Sequence, residues 1–288
     1  MVTGAQQITL QEAAQRLGVH YMTAYRYVRT GALPARQIGA RWMVKVSDVD
    51  AVRSPQRRGS PSRRGAGPGR TREQLMSRLV AGDEAGSWAT IQSVLAAGTD
   101  PTALYVDLIA PVLQAVGDDW EAGRLQVAGE HRASATATRL IGRLGPLFSR
   151  RGRPRGTVVI GVVAHDRHAL PAAMLADVVR SGGFQVLDLG ADTPAESFVQ
   201  SAVEASRLVA VMICATITGR EDDIAATVSA LRSAGVDAPV LLGGAALEGE
   251  ERAKALGGDA YTGRDARTAV AVLNEVAATR RPPVRPVP

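Results

Sequence analysis

The sequence predicts a multi-domain chain of mixed α and α/β class. A small winged helical head comes first, a four-helix bundle follows, and a five-stranded doubly wound α/β domain closes the chain. Three observations predict this. Apolar residues recur at helical spacing through residues 73–149. From Gly156 the pattern becomes short β-branched runs alternating with helices. Charge also sorts by segment: residues 1–72 hold 13 Lys/Arg against the acids Glu12, Asp48 and Asp50, while the remainder holds 21 basic and 25 acidic residues. A length of 288 residues suits two or three units at roughly 150 residues each.

The head is read over residues 1–52. Ile8 to Leu17 is an amphipathic helix with Thr9 as its N-cap. Gly18-Val19-His20 is a tight turn, with His20 a turn residue and not a chemical one. Tyr21 to Arg29 is a second helix ended by Gly31. Helix, three-residue turn, helix is the helix-turn-helix arrangement. Leu33 to Val44 then alternates around Gly39 like a β-hairpin wing. The polar face of the second helix carries Tyr21, Thr23, Arg26, Tyr27 and Arg29, and the hairpin carries Arg36 and Arg41. These residue types suit phosphates and base edges. A basic head on a mildly acidic body is the footprint of a nucleic-acid partner. Arginine-rich codon bias is the bland alternative, but bias does not sort charge by segment. The stretches "EAAQRLGV", "TAYRYVRTGALPARQIG" and "RWMVKVSDVDAV" resemble the helix-turn-helix of the MerR and excisionase families. The resemblance implies a double-stranded DNA operator as partner; a helical protein-binding module is the alternative.

Residues 53–72 are rich in Arg, Gly, Ser and Pro and read as a flexible basic linker, its arginines either touching phosphates or merely solvated. Residues 73–150 carry four helical patterns with short connections, the fourth from about Glu130 to Phe148, which implies an antiparallel bundle. Within it lie Trp120 and, nine residues on, Glu130-His131. The two could face each other across a gap between helices; a core tryptophan and a capped helix start are the plainer reading.

Residues 151–288 form the α/β domain. Strands are predicted at Thr157–Ala164, Phe184–Leu189, Leu208–Cys214, Val240–Leu242 and Ala260–Tyr261, with helices starting near Pro171, Pro194, Glu221, Leu247 and Asp265. The runs are nearly all apolar, as parallel strands covered on both faces are. Such a sheet, flavodoxin-like or Rossmann-type, binds ligands at the carboxyl ends of its strands. The loops at 164–171, 189–194, 214–220 and 243–247 are therefore the informative ones. The first holds Asp166-Arg167-His168 in "AHDRHALP". One imidazole nitrogen of His168 can bind a metal while the other donates to the Asp166 carboxylate.

Together the bundle and the α/β domain resemble the cobalamin-binding module of methionine synthases and of the CarH/LitR photoreceptor regulators. Trp120, nine residues, Glu130-His131 matches that family's cap motif. Asp166-x-His168 matches the start of its Asp-x-His-x-x-Gly, and Gly243-Gly244 matches its paired glycines. The resemblance covers residues ~73–280. It implies adenosylcobalamin as cofactor, with His168 the lower axial cobalt ligand and Asp166 its supporting carboxylate. Trp120, Glu130 and His131 would cap the upper face. Cys214, Thr216, Thr218, Gly243 and Gly244 would line the slot for the nucleotide tail. Four departures stand out. Pro171 replaces the motif glycine, and Cys214-Ala215-Thr216 replaces Ser-x-Leu. Thr218 is a substitute for a nearby threonine, and Glu121 replaces the histidine that follows the cap tryptophan in the photoreceptors. His165 is read as a strand-end residue with no metal role.

The single cysteine excludes an internal disulfide and any multi-cysteine zinc site. No apolar stretch suits a bilayer, and no signal peptide is seen, so the expected home is the cytoplasm. The expected function is a non-enzymatic transcription regulator sensing adenosylcobalamin, a homo-oligomer (dimer or tetramer), with light as a further input. Two alternatives remain. One is a regulator whose body binds another ligand or only oligomerises. The other is a corrinoid-binding enzyme or carrier.

Overall fold

A computed structural model describes residues 7–17, 19, 21–29, 33–39, 41–53 and 68–279. The chain divides into two compact units, Met1–Gly65 and Ala66–Pro288.

In the first unit, β1 (Gln7–Thr9) leads into α1 (Leu10–Leu17) and α2 (Tyr21–Arg29). An antiparallel hairpin, β2 (Ala35–Ile38) and β3 (Arg41–Lys45), and α3 (Val46–Arg53) follow. β3 is central, in the order β1-β3-β2. Thr9 caps α1 as expected: Glu12 N–H donates to Thr9 Oγ1 at 3.3 Å, and Thr9 N–H donates to Glu12 Oε2 at 2.8 Å. This reciprocal pair satisfies two otherwise orphaned donors. Leu10, Ala13, Ala14, Ala24, Leu33, Val44 and Val49 form the core. Small alanines at the crossing let α1 and α2 approach closely. The turn residues Gly18 and His20, the helix-ending Gly31 and residues 54–67 of the linker lie outside the described residues.

The second unit opens with the bundle. Its helices are α4 (Pro68–Ala81), α5 (Glu84–Ala96), α6 (Pro101–Leu104), α7 (Ala110–Glu121) and α8 (Val127–Leu144). A π-helical turn, Tyr105–Ile109, joins α6 to α7, so the bundle has four rods, as the periodicity predicts. The fourth starts three residues earlier than expected and ends in a 3₁₀ turn, Gly145–Phe148. Asp83 caps α5 through Gly86 N–H, and Asp100 caps α6 through Thr102 N–H.

The α/β part contains β4 (Thr157–Val162), α9 (Ala169–Ser181), β5 (Gln185–Asp188), α10 (Ala195–Glu204) and β6 (Leu208–Cys214). It continues with α11 (Glu221–Ser233), β7 (Val240–Gly243), α12 (Gly249–Ala255), β8 (Ala260–Tyr261) and α13 (Ala266–Thr279). All five strands are parallel, in the order β5-β4-β6-β7-β8. β4 is buried along its whole length, which is why its residues read as an unbroken apolar run. One face packs on α10, α11 and α12 through Val159, Phe198, Val211, Ile224 and Leu242. The other packs on α9 and α13 through Ile160, Ala172, Met212 and Leu273. The bundle core runs on into α9 through Met174 and Val178.

The chain leaves β4 for β5 on one side and returns to β6 on the other. The carboxyl ends of β4 and β6 therefore bound the switch-point crevice, where sheets of this order bind ligands. No helix among the described residues is long and apolar enough to cross a membrane.

Candidate functional site

Two loops meet at that crevice, 163–168 after β4 and 215–219 after β6. Asp166 joins them. Its side chain is fully buried. It accepts from Thr216 N–H at 2.6 Å, from Thr216 Oγ1 at 2.8 Å and from His168 N–H at 3.1 Å. Burial alone would raise its pKa. The hydrogen bonds from Thr216 and His168 outweigh burial and hold the carboxyl below its ordinary value. An ionised carboxylate only accepts, so the contact of His168 Nδ1 with Asp166 Oδ1, at 2.8 Å, places the proton on Nδ1. Nε2 then carries the free lone pair, on a ring whose side chain is 60% exposed. That is a fixed, oriented imidazole donor at the N-cap of α9.

Sequence reasoning placed Thr216 along a slot. The structure shows it holding Asp166, through both its hydroxyl and its backbone. Pro171 sits in the first turn of α9, where proline is tolerated, and is exposed. Cys214 is buried. Burial, with the negative Asp188 and Asp166 adding to it, pushes its thiol up to about 12, so it is a neutral thiol. Thr218 is exposed.

The paired glycines have a reason inside the fold. A Cβ at Gly243 would lie 2.0 Å from Thr262 Oγ1. Gly244 has φ +114, and a Cβ there would lie 2.1 Å from the Ala215 carbonyl oxygen. The expected purpose, close approach to a ligand, is thus preceded by a purely internal one: the backbones after β6 and β7 touch here.

The charged rim of the crevice was not foreseen. His165 (φ 64) and Asp192 (φ 53) both adopt left-handed backbone. They hold each other, with His165 N–H donating to Asp192 Oδ1 at 2.7 Å. The His165 ring lies 3.4 Å from Asp223, which pairs with Arg220 at 3.3 Å. Non-glycine residues in such conformations each cost of order 1–3 kcal/mol and persist where the surroundings over-determine them. A loop of Asp and His beside a turn carries no periodic signal from which this could be read.

In the bundle, Trp120 closes α7 and is 46% exposed, so the plain reading of a core tryptophan does not hold. Glu130 and His131 lie near the start of α8, whose N-cap is Gln126. Glu130 accepts from Ser134 Oγ at 2.6 Å, and its Oε2 lies 3.7 Å from His131 Nε2. Gly129 makes their position possible, because a Cβ there would lie 2.6 Å from a Leu125 methyl. Among the described residues, no hydrogen bond or ring contact joins Trp120 to Glu130 or His131.

In the head, Thr23 is half-buried, Arg36 is exposed on β2, and Tyr27 is half-buried against the core instead of standing on a free face. The side chains of Arg26, Arg29 and Arg41 lie outside the described residues.

Family models match three segments. A B12 binding domain matches residues 71–144, a second B12 binding domain matches 156–273, and a helix-turn-helix domain matches 8–56. Trimethylamine corrinoid protein 1 of Methanosarcina mazei is 33% identical over 113 residues, 38% of this chain and 52% of that protein, so the match spans about half of that relative. The trimethylamine corrinoid protein of Methanosarcina barkeri is 30% identical over 182 residues, 62% of this chain and 82% of that protein. The chain belongs to this corrinoid-protein family. The monomethylamine corrinoid protein of M. barkeri shares its fold, with a TM-score of 0.62 at 20% identity, covering 71% of this chain and 98% of that one. With two B12-binding domains and this kinship, the chain is a corrinoid-binding protein.

The side chains of this corrinoid protein fit such a group. Among the described residues no cluster of three or more His, Cys, Asp or Glu could hold a metal alone. A single imidazole with a buried carboxylate behind it suits a metal whose remaining ligands arrive with a macrocycle.

Proposed function

We propose that the chain is a DNA-binding transcription regulator that senses adenosylcobalamin. The observation that carries the reading is the presence, in one chain, of a helix-turn-helix segment at 8–56 and B12-binding segments at 71–144 and 156–273. A corrinoid protein that only delivers its cofactor to other proteins has no use for a DNA reader.

His168 Nε2 would ligate the cobalt, with Asp166 and Thr216 fixing the ring's tautomer and direction. The exposed Trp120, with Glu130 and His131, would shield the bound group. Cys214, Thr218, Gly243 and Gly244 would border the nucleotide tail. When bound, the cofactor would supply a light-sensitive cobalt–carbon bond. The head, as a MerR-like winged reader, would contact an operator through Thr23, Arg26, Tyr27 and Arg29 of α2 and through Arg36 and Arg41 of the hairpin. Cofactor loading would bias homo-oligomerisation to a dimer or tetramer, and through it DNA affinity.

The second reading is a corrinoid carrier, and the relatives favour it over the regulator: those matched are corrinoid proteins. One experiment separates the two. The full chain is reconstituted anaerobically with adenosylcobalamin, sized in the dark and after illumination, and titrated onto duplex DNA over a range of salt. The regulator reading expects salt-sensitive, sequence-preferring binding that depends on cofactor loading. Cobalamin uptake without DNA binding leaves the carrier. An unchanged size on illumination removes the light input.

A further inference from the structure

The body has a basic surface of its own, at the edge formed by the amino ends of β4 and β6, away from the crevice. The connector into β4 reads Ser149-Arg150-Arg151-Gly152-Arg153-Pro154-Arg155-Gly156, with four arginines and no acid. All four are exposed. They precede β4, whereas His168 follows it, so a six-residue strand of ~20 Å separates the two ends.

The connector is fixed where it meets the sheet. Arg155 N–H donates to the Gly183 carbonyl at 2.9 Å. The Arg155 guanidinium lies 4.3 Å over the Phe184 ring and donates to Asn274 Oδ1 at 2.6 Å. Arg207, itself at φ 55, reaches across to the carbonyls of Pro154 and Arg155 at 3.0 and 2.9 Å. A Cβ at Gly183 would lie 3.8 Å from Arg150 Nη1 and 3.5 Å from Arg155 Cδ, so both side chains cross one glycine. Among the described residues none of Arg150, Arg151, Arg153, Arg155 and Arg207 pairs with a carboxylate. Elsewhere in the same body Arg124, Arg139, Arg180, Arg232 and Arg267 all do. Five guanidinium groups without a carboxylate partner among the described residues thus gather at the amino ends of neighbouring strands.

We propose that this edge is a second DNA-contact surface, its arginines holding the phosphodiester backbone of the duplex read by the head. The inference rests on the DNA-binding reading above. Planar guanidinium forks match phosphate oxygens in pairs, and a duplex presents such oxygens in an unbroken, densely charged row that several exposed arginines can engage at once. The adjoining turn also exposes Leu147, so an anionic lipid surface is the competing occupant that the test below separates from DNA. Contact through this edge leaves the crevice at the opposite end of the strands open to its ligand.

The test uses the full chain carrying Arg150→Gln, Arg151→Gln and Arg153→Gln, with Arg153→Gln alone as a milder variant. Fluorescence anisotropy on a duplex is followed from ~50 to ~200 mM salt. Each lost phosphate contact lowers the slope of log K against log salt by ~0.9, so the triple variant should lose ~2–3 and the single ~0.9, with sequence preference unchanged. A wild-type protein that binds DNA with the same slope as both variants overturns this proposal alone. A wild-type protein that does not bind DNA overturns it together with the regulator reading. Arginine-dependent binding to vesicles of anionic phospholipid, with the DNA slope intact, assigns the edge to a membrane surface and also overturns it.

Discussion

At the scale of single residues, the crevice is organised by one carboxylate. Asp166 touches both loops and gives His168 its tautomer, so the two positions should fail differently. His168→Ala removes an exposed ring whose loss leaves no buried group unpaired. It should fold normally and lose the absorbance change that marks imidazole coordination when cobalamin is added; a retained change would remove His168 as the ligand. Asp166→Asn keeps the shape but puts an amide where Thr216 and His168 all donate. Loss of such a supporting partner typically costs 10–100-fold in affinity, readable as weaker cobalamin retention on desalting. Gly244→Ala tests the glycine argument. Its φ of +114 and the Ala215 carbonyl in the path of a Cβ predict a loss of at least ~1–3 kcal/mol in chemical denaturation, with or without cofactor. A ligand-only role for this glycine would leave the apoprotein unchanged.

At the scale of elements, the rod formed by α6, the π-helical turn and α7 ties the bundle to the sheet. Tyr105 Oη donates to Asp177 Oδ2 on α9 at 2.8 Å, both groups buried, and stacks on Phe148 at 4.6 Å. Burial, followed by the negative charge of Asp177, raises the tyrosine's pKa, so it stays a donor. Tyr105→Phe keeps the stack and strands part of a buried carboxylate. It should cost ~1–3 kcal/mol and lower the urea midpoint. On the exposed side of the same turn, Arg267 from the start of α13 donates to Asp107 at 2.8 Å.

The N-terminus of α13 also sets a pH dependence. Burial tends to raise Asp265, but the hydrogen bonds from Thr268 N–H, Thr268 Oγ1 and Arg267 N–H outweigh it and hold its pKa below the ordinary value. A depressed folded-state pKa means that the linked stability is fully present above the unfolded value of ~3.9 and is lost as pH falls through the folded one. Asp265→Asn should therefore make the acid side of the stability curve less steep, with little change in shape near neutral pH. An acid limb that stays as steep would show that Asp265 carries none of it.

At the scale of the whole molecule, much of the architecture was legible because burial writes itself into residue type. Strands covered on both faces have to be apolar, so β4 and β6 stood out. Four amphipathic periods with short gaps had to form a bundle, and Thr9 with Glu12 marked a helix start. Other features left no trace in the residue order. Nothing in a helical run announces a π-turn at Tyr105 or the bond from its hydroxyl to Asp177 on α9. The exposed arginine edge was likewise hidden inside what read as a domain boundary. The prediction that belongs here joins the two units: cobalamin loading of the full chain should change its DNA affinity. Equal affinities of the apo and loaded forms, measured at one salt concentration, would separate the reader from the sensor.

The sequence by itself determined the order of the units, the parallel sheet and the pairing of Asp166 with His168, because these depend on local period and on neighbours two residues apart. Only the tertiary structure decided that Thr216, fifty residues away, holds that carboxylate. It also decided that Gly243 and Gly244 answer first to Thr262 and Ala215, and that Trp120 is exposed at the end of its helix. Those facts are distances between segments far apart in the chain, and a residue's type does not say what the fold will bring beside it.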